Sequence, residues 1–77
     1  MPKQKPVSGL KIIKALSKAG FQVVGRRGSH VRLKKKTDQS TNIVIVPLHP
    51  EIKKGTLKSI LRQAGLTEQE LEGLLKD

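Results

Sequence analysis

The 77-residue sequence predicts a small α+β domain in which three antiparallel strands are flanked by helices packed on one sheet face. Three observations carry this. Apolar residues recur at helical spacing near both ends of the chain. Residues 30–35 alternate strictly between apolar and polar, as half-buried strands do. Gly and polar residues punctuate the chain between these stretches.

Ser8 is a good N-cap, because its hydroxyl can accept from an orphan backbone amide. It opens a helix over Ser8–Ala19, with Leu10, Ile13 and Leu16, joined by Ile12 and Ala19, as its apolar stripe and Lys11, Lys14 and Lys18 opposite. Gly20 ends it by adopting a left-handed conformation at little cost. A first strand covers Phe21–Arg27, with Phe21 and Val23 on one face, although Val24 leaves its phase open. After Gly28-Ser29 comes the strand His30–Lys35, with Val31 and Leu33 on one side and His30, Arg32 and Lys34 on the other. Lys36–Ser40 reads as a polar turn. The β-branched run Thr41–Pro47 is a third strand, apolar on both faces, which suits either a central position or a surface covered by a partner. A loop follows over Leu48–Gly55. Thr56 is then expected to cap a second helix with the stripe Leu57, Ile60, Leu61 and Ala64, which Gly65 ends. Thr67 and Glu70 form a capping box for a short third helix, with Leu66 and Leu71 as its staple and Leu74 and Leu75 on the buried side. The chain reads as one domain, 1–77, with a flexible start over 1–7.

Charge narrows the function. Sixteen Lys and Arg against six Asp and Glu give +10, and four of the acids (Glu68, Glu70, Glu72 and Asp77) lie in the last twelve residues. The first 65 residues therefore carry 15 bases against Asp38 and Glu51, a net of +13. Such a field attracts polyanions. With one Phe and no Trp or Tyr, little could anchor in a lipid headgroup layer. No apolar run approaches the roughly 18 residues that span a bilayer. Nucleic acid is the expected partner and no membrane is expected. The scarcity of aromatic rings argues for binding through phosphates and shape rather than base stacking. The polar first seven residues lack the apolar stretch of a signal peptide, and there is no Cys to form a disulfide, so a cytoplasmic protein is expected.

The densest chemistry lies in residues 26–36, which hold six of the sixteen bases. Strand alternation sets the His30 imidazole beside Arg32 and Lys34, and Gly28-Ser29 leaves room for a sugar-phosphate backbone. Imidazole can both take and give a proton near neutral pH. It could take one from a ribose 2′-hydroxyl or deliver one to a departing 5′-oxygen, while Arg and Lys stabilise the phosphate charge. The plain alternative makes His30 a surface residue of a basic hairpin. His49, between Pro47-Leu48 and Pro50, is a secondary candidate, with its ring bonding nearby carbonyls as the local alternative. Two histidines and two isolated acids outside the tail do not make a cluster of metal ligands, so no metal or cofactor is expected.

These residues resemble the HicA family of bacterial toxins over roughly Ser8 to Leu71. The recognisable pieces are Ser8-Gly9, Ala19-Gly20-Phe21, Gly28-Ser29-His30, Val46-Pro47-Leu48-His49, Lys54-Gly55-Thr56-Leu57, Ser59-Ile60-Leu61 and Ala64-Gly65-Leu66. The resemblance implies a fold like that of a double-stranded-RNA-binding domain. It implies a metal-independent endoribonuclease that cleaves mRNA and halts translation, with His30 catalytic and a HicB-type antitoxin covering the site. Arg26, Arg27, Gly28, Ser29, Arg32 and Lys34 are then the expected RNA-binding set. Some relatives carry a second histidine where Val31 stands, which leaves the leaving-group acid open among Arg32, Lys34, Ser29 and water. The rival expectation is a small basic RNA-binding protein without catalysis.

Overall fold

The computed structural model describes residues 7–76. In chain order the elements are α1 (Gly9–Lys18), β1 (Gln22–Arg27), β2 (His30–Lys36), β3 (Thr41–Pro47), α2 (Lys54–Ala64) and α3 (Glu68–Leu75). The three strands form one antiparallel sheet in the order β1-β2-β3. The expected α+β layout is therefore the one observed.

Both main helices end in the same way because both end in Ala-Gly-apolar. After α1, Gly20 takes φ +101°, its amide donates to the Ser17 carbonyl, and Phe21 N–H donates to the Leu16 carbonyl at 3.0 Å. After α2, Gly65 takes φ +71°, and Leu66 N–H reaches the Leu61 carbonyl at 3.0 Å. This hydrogen-bond pair satisfies carbonyls that a helix end leaves orphaned and turns the next apolar residue inward. Phe21 thereby joins the core, and Lys35 lies over its ring, 5.8 Å from the centroid.

The core lies between the sheet and the two helices. Ile12 and Leu16 of α1 and Ile60 and Ala64 of α2 pack against Val31 and Leu33 of β2 and Val44 and Val46 of β3. A smaller cluster, Ala15, Leu61 and Leu71, seats α3 against the helices. The Thr67–Glu70 capping box forms as expected. Lys18 Nζ also donates to the carbonyls of Leu74 and Lys76, placing a cation at the negative end of α3.

Five local expectations need correction. Leu10 is 69% exposed, because the buried face of α1 is set by Gly9, Ile12, Ala15 and Leu16. Thr56 is not a cap: α2 starts earlier, with Lys53 at the N-cap position and no side-chain cap bond. That start is fixed by tertiary anchoring, since the preceding Ile52 is buried and its amide donates to the Val7 carbonyl at 2.8 Å. Lys36 belongs to β2 rather than to the turn. Val23 does not share the burial of Phe21. The β1–β2 register shifts between Val23 and Gly25, and both Val23 and Val24 are about half exposed on this outer strand. Finally, β3 is an edge strand, so its two apolar faces do not reflect a central position. Its outer edge is instead guarded by α2, where Gln63 Oε1 accepts from the Ile45 amide at 3.1 Å. The expected flexible start lies outside the described residues except for Val7, which the Ile52 bond holds in place.

Candidate nucleic-acid interface and catalytic histidine

Alternation along β2 divides its side chains as the sequence predicts. Val31 and Leu33 are buried under the helices, while His30, Arg32 and Lys34 are exposed. Directly paired residues of antiparallel strands share a face, so the register extends that division across the sheet. On the open face, His30 sits between Arg27 and Pro47, Arg32 between Gly25 and Ile45, and Lys34 between Gln22 and Ile43. No strand contains an Asp or Glu. The open face is cationic, with no carboxylate of its own to neutralise it.

An open concavity of about 590 Å³ lies at one end of this face, lined by Gly25, Arg26, Arg27, His30, Arg32 and Ile45. Of the expected site residues, Arg26, Arg27, His30 and Arg32 meet there. Lys34 follows along the same face beyond it. Gly28 and Ser29 form the two-residue turn that carries His30, with Gly28 at φ +60°, as the first position of a type II′ hairpin requires.

That turn is braced from two sides. Arg26 Nε donates to the Gly28 carbonyl at 3.0 Å. Arg26 pairs with Val31 and so leaves the strand on the side opposite Arg27. The Nε bond ties its guanidinium to the turn at the rim of the concavity. From the other side, Leu48 N–H donates to the Ser29 carbonyl at 2.6 Å, and Gly9 N–H donates to the His49 carbonyl at 2.9 Å. The start of α1, the Pro47-Leu48-His49 segment and the histidine turn therefore form one braced unit. Gly9 is required there, because a Cβ would collide with the Pro47 carbonyl.

His49 contributes through its backbone. Its ring is exposed and bonds no described residue, so the carbonyl, not the imidazole, serves the local structural role. His49 is not among the residues lining the concavity. Among the described residues no three His, Cys, Asp or Glu side chains cluster as metal ligands. No helix among them is long and apolar enough to cross a membrane.

Two lining residues escaped the sequence reading. Gly25 stands opposite Arg32, with open space where its Cβ would be, so β1 sets no side chain beside Arg32 at that register position. Ile45 had a signal, the double-faced apolar character of its strand, but only the register shows that it neighbours Arg32. An exposed imidazole with guanidinium groups beside it can hold a phosphodiester and move a proton at it.

The fold and this face define a small basic α+β protein with a cationic open sheet surface and one imidazole at its end. The family model described as the HicA toxin of bacterial toxin–antitoxin systems matches residues 9–66, and the chain belongs to that family. It is a toxin of such a system, whose counterpart is an antitoxin. The match starts at Gly9, the brace glycine, and ends at Leu66, so α3 lies beyond it. No curated protein matches the chain.

Proposed function

We propose that the chain is a metal-independent endoribonuclease that cleaves mRNA in the cytoplasm, halts translation, and is neutralised by a HicB-type antitoxin. One observation carries this reading: His30 stands in register beside Arg27, one open-face position from Arg32, at the rim of a concavity without acids.

In this mechanism Arg27 and Arg32 hold the non-bridging oxygens of the scissile phosphate, with Lys34 on the next phosphate along β2 and Arg26 at the turn. The backbone at Gly28-Ser29 lets the ribose approach. His30 takes the proton of the 2′-hydroxyl as its oxygen attacks phosphorus. The new O2′–P bond forms as the P–O5′ bond breaks, leaving a 2′,3′-cyclic phosphate and a 5′-hydroxyl. The 5′-oxygen takes its proton from water or from a group of the turn and strand, Ser29, Arg32 or Lys34. Positioned proton transfer contributes about 10²–10⁴ in rate.

Purified protein incubated with end-labelled mRNA tests this. The wild type should shorten the RNA, with or without excess EDTA. His30→Ala should lose about 10²–10⁴ of that rate and still retard RNA on a gel. Retardation without shortening by the wild type would make the chain an RNA-binding module. EDTA sensitivity reversed by magnesium would remove the metal-free mechanism.

A further inference from the structure

The open sheet face is chemically split. Its β2 side presents Arg32 and Lys34, which make no hydrogen bond or ion pair with another described residue. Its β3 side presents Ile43 and Ile45, 49% and 43% exposed, paired in register with those two cations. Two large aliphatic side chains at consecutive open-face positions of one strand are costly in water. They also do little for RNA, because they neither donate to phosphate nor offer a ring for a base to stack on.

Charge selects among possible occupants. A second copy of the chain would set the same unpaired cations against themselves at a net charge of +10 per chain. An added strand at the β3 edge meets α2, where Gln63 takes the Ile45 amide and the Asn42 side chain donates to the Gln63 carbonyl at 3.2 Å. The occupant must therefore lie over the face rather than extend the sheet. It needs an apolar ridge for the isoleucines and carboxylates for the cations beside them.

We infer that Ile43 and Ile45 are the apolar anchor for the antitoxin, an acidic protein surface laid across β2 and β3 with carboxylates on Arg32 and Lys34. The inference rests on the proposed placement of RNA on this face and adds a division of labour. Ile45 lies within the concavity, so a partner seated on it excludes RNA. Ile43 lies outside the concavity beside Lys34 and, being aliphatic, offers RNA neither a phosphate donor nor a ring, so its side chain serves the antitoxin. Toxicity and neutralisation are therefore separable at one residue.

The test uses the full chain with two probes. One is the product of the reading frame adjoining its own, co-expressed and purified. The other is an RNA oligonucleotide 2′-O-methylated throughout, which cannot undergo 2′-hydroxyl attack. Ile43→Thr should weaken the antitoxin complex by about tenfold or more, the expected scale for losing one buried anchor, while mRNA cleavage stays within about twofold. Leu10→Thr, on the exposed side of α1, should change neither. In methyl-labelled wild type, the Ile43 methyl should show intermolecular contacts to antitoxin protons and none to the oligonucleotide, whose phosphate reaches only the neighbouring Lys34, which decides the matter even if the variant folds poorly. Unchanged antitoxin affinity in Ile43→Thr, an Ile43 methyl without contacts to the antitoxin, an equal loss in Leu10→Thr, or no binding by the adjoining product would each overturn the inference. A wild type that cleaves no RNA but shows the Ile43 methyl contacts with the antitoxin would sink the ribonuclease reading and leave the anchor standing.

Discussion

The two faces of β2 are built by one alternating sequence and answer to different physics. Val31 and Leu33 disappear under α1 and α2, where each side chain touches apolar neighbours and its identity is constrained by volume. His30, Arg32 and Lys34, interleaved with them, carry charge or an imidazole ring into solvent. One face uses its side chains for stability and the other leaves them in solvent, where a ligand could reach them. The difference teaches how a chain this small hosts a site: residues one apart along the same strand are separated by the sheet itself, so the site can vary without repacking the core.

The sharpest way to break that comparison is to truncate the covered face. Leu33 is fully buried at the centre of the sheet, and Leu33→Ala should cost about 3 kcal/mol, the middle of the range for deleting a packed Leu side chain. A domain of this size has little stability to lose, so chemical denaturation should show a strongly lowered midpoint with RNA cleavage falling in parallel. His30→Ala, three residues earlier on the same strand and on the other face, should leave the same denaturation curve within about 0.5 kcal/mol. Equal destabilisation by the two variants would show that the faces are not independent.

How much of this was readable beforehand follows the same division. The covered side of β2, the glycine helix ends and the Thr67 capping box rest on local patterns, and each formed where the sequence placed it. The errors arose where a distant contact chose between two local options. In α1, Leu10 and Ile12 both lie on plausible apolar arcs, and the close approach of Gly9 to β3 selects the arc of Ile12. In α2, Thr56 is the better cap by chemistry, but the anchored Ile52 starts the helix at Lys54. The cations and the imidazole of the candidate site were visible as a dense stretch, whereas their neighbours Gly25 and Ile45 come from other strands. Only the cross-strand register, with its shift after Val23, brings those two beside Arg32.

Gly9 sits at the seam between the faces and offers a smaller, more informative perturbation. Its amide holds the His49 carbonyl, and the neighbouring Leu48 amide holds the Ser29 carbonyl at the histidine turn. Gly9→Ala forces α1 away from Pro47 and should cost about 2 kcal/mol, as overpacking does. Because the shift travels into the turn that carries His30, cleavage measured where the variant is fully folded should also fall. A stability loss with unchanged cleavage would show that the brace supports the core alone.

The smallest effect expected is also the most specific to the open face. Arg32 is exposed and makes no bond with another described residue, so Arg32→Gln should leave stability within about 0.5 kcal/mol. As a phosphate contact it should instead change the salt dependence of RNA binding. Each cation neutralising a phosphate on a single strand contributes a slope of about −0.7 to the plot of log affinity against log salt. Arg32→Gln should flatten that slope by about this amount across RNAs of unrelated sequence, as measured by fluorescence anisotropy with a 2′-O-methylated oligonucleotide. Lys35→Gln makes the paired control, since Lys35 shares the covered face and lies over Phe21. Its slope should hardly change. If the two variants flatten the slope equally, the protein attracts RNA by overall charge, and the open face of the sheet loses its claim to be the surface on which the nucleic acid is held.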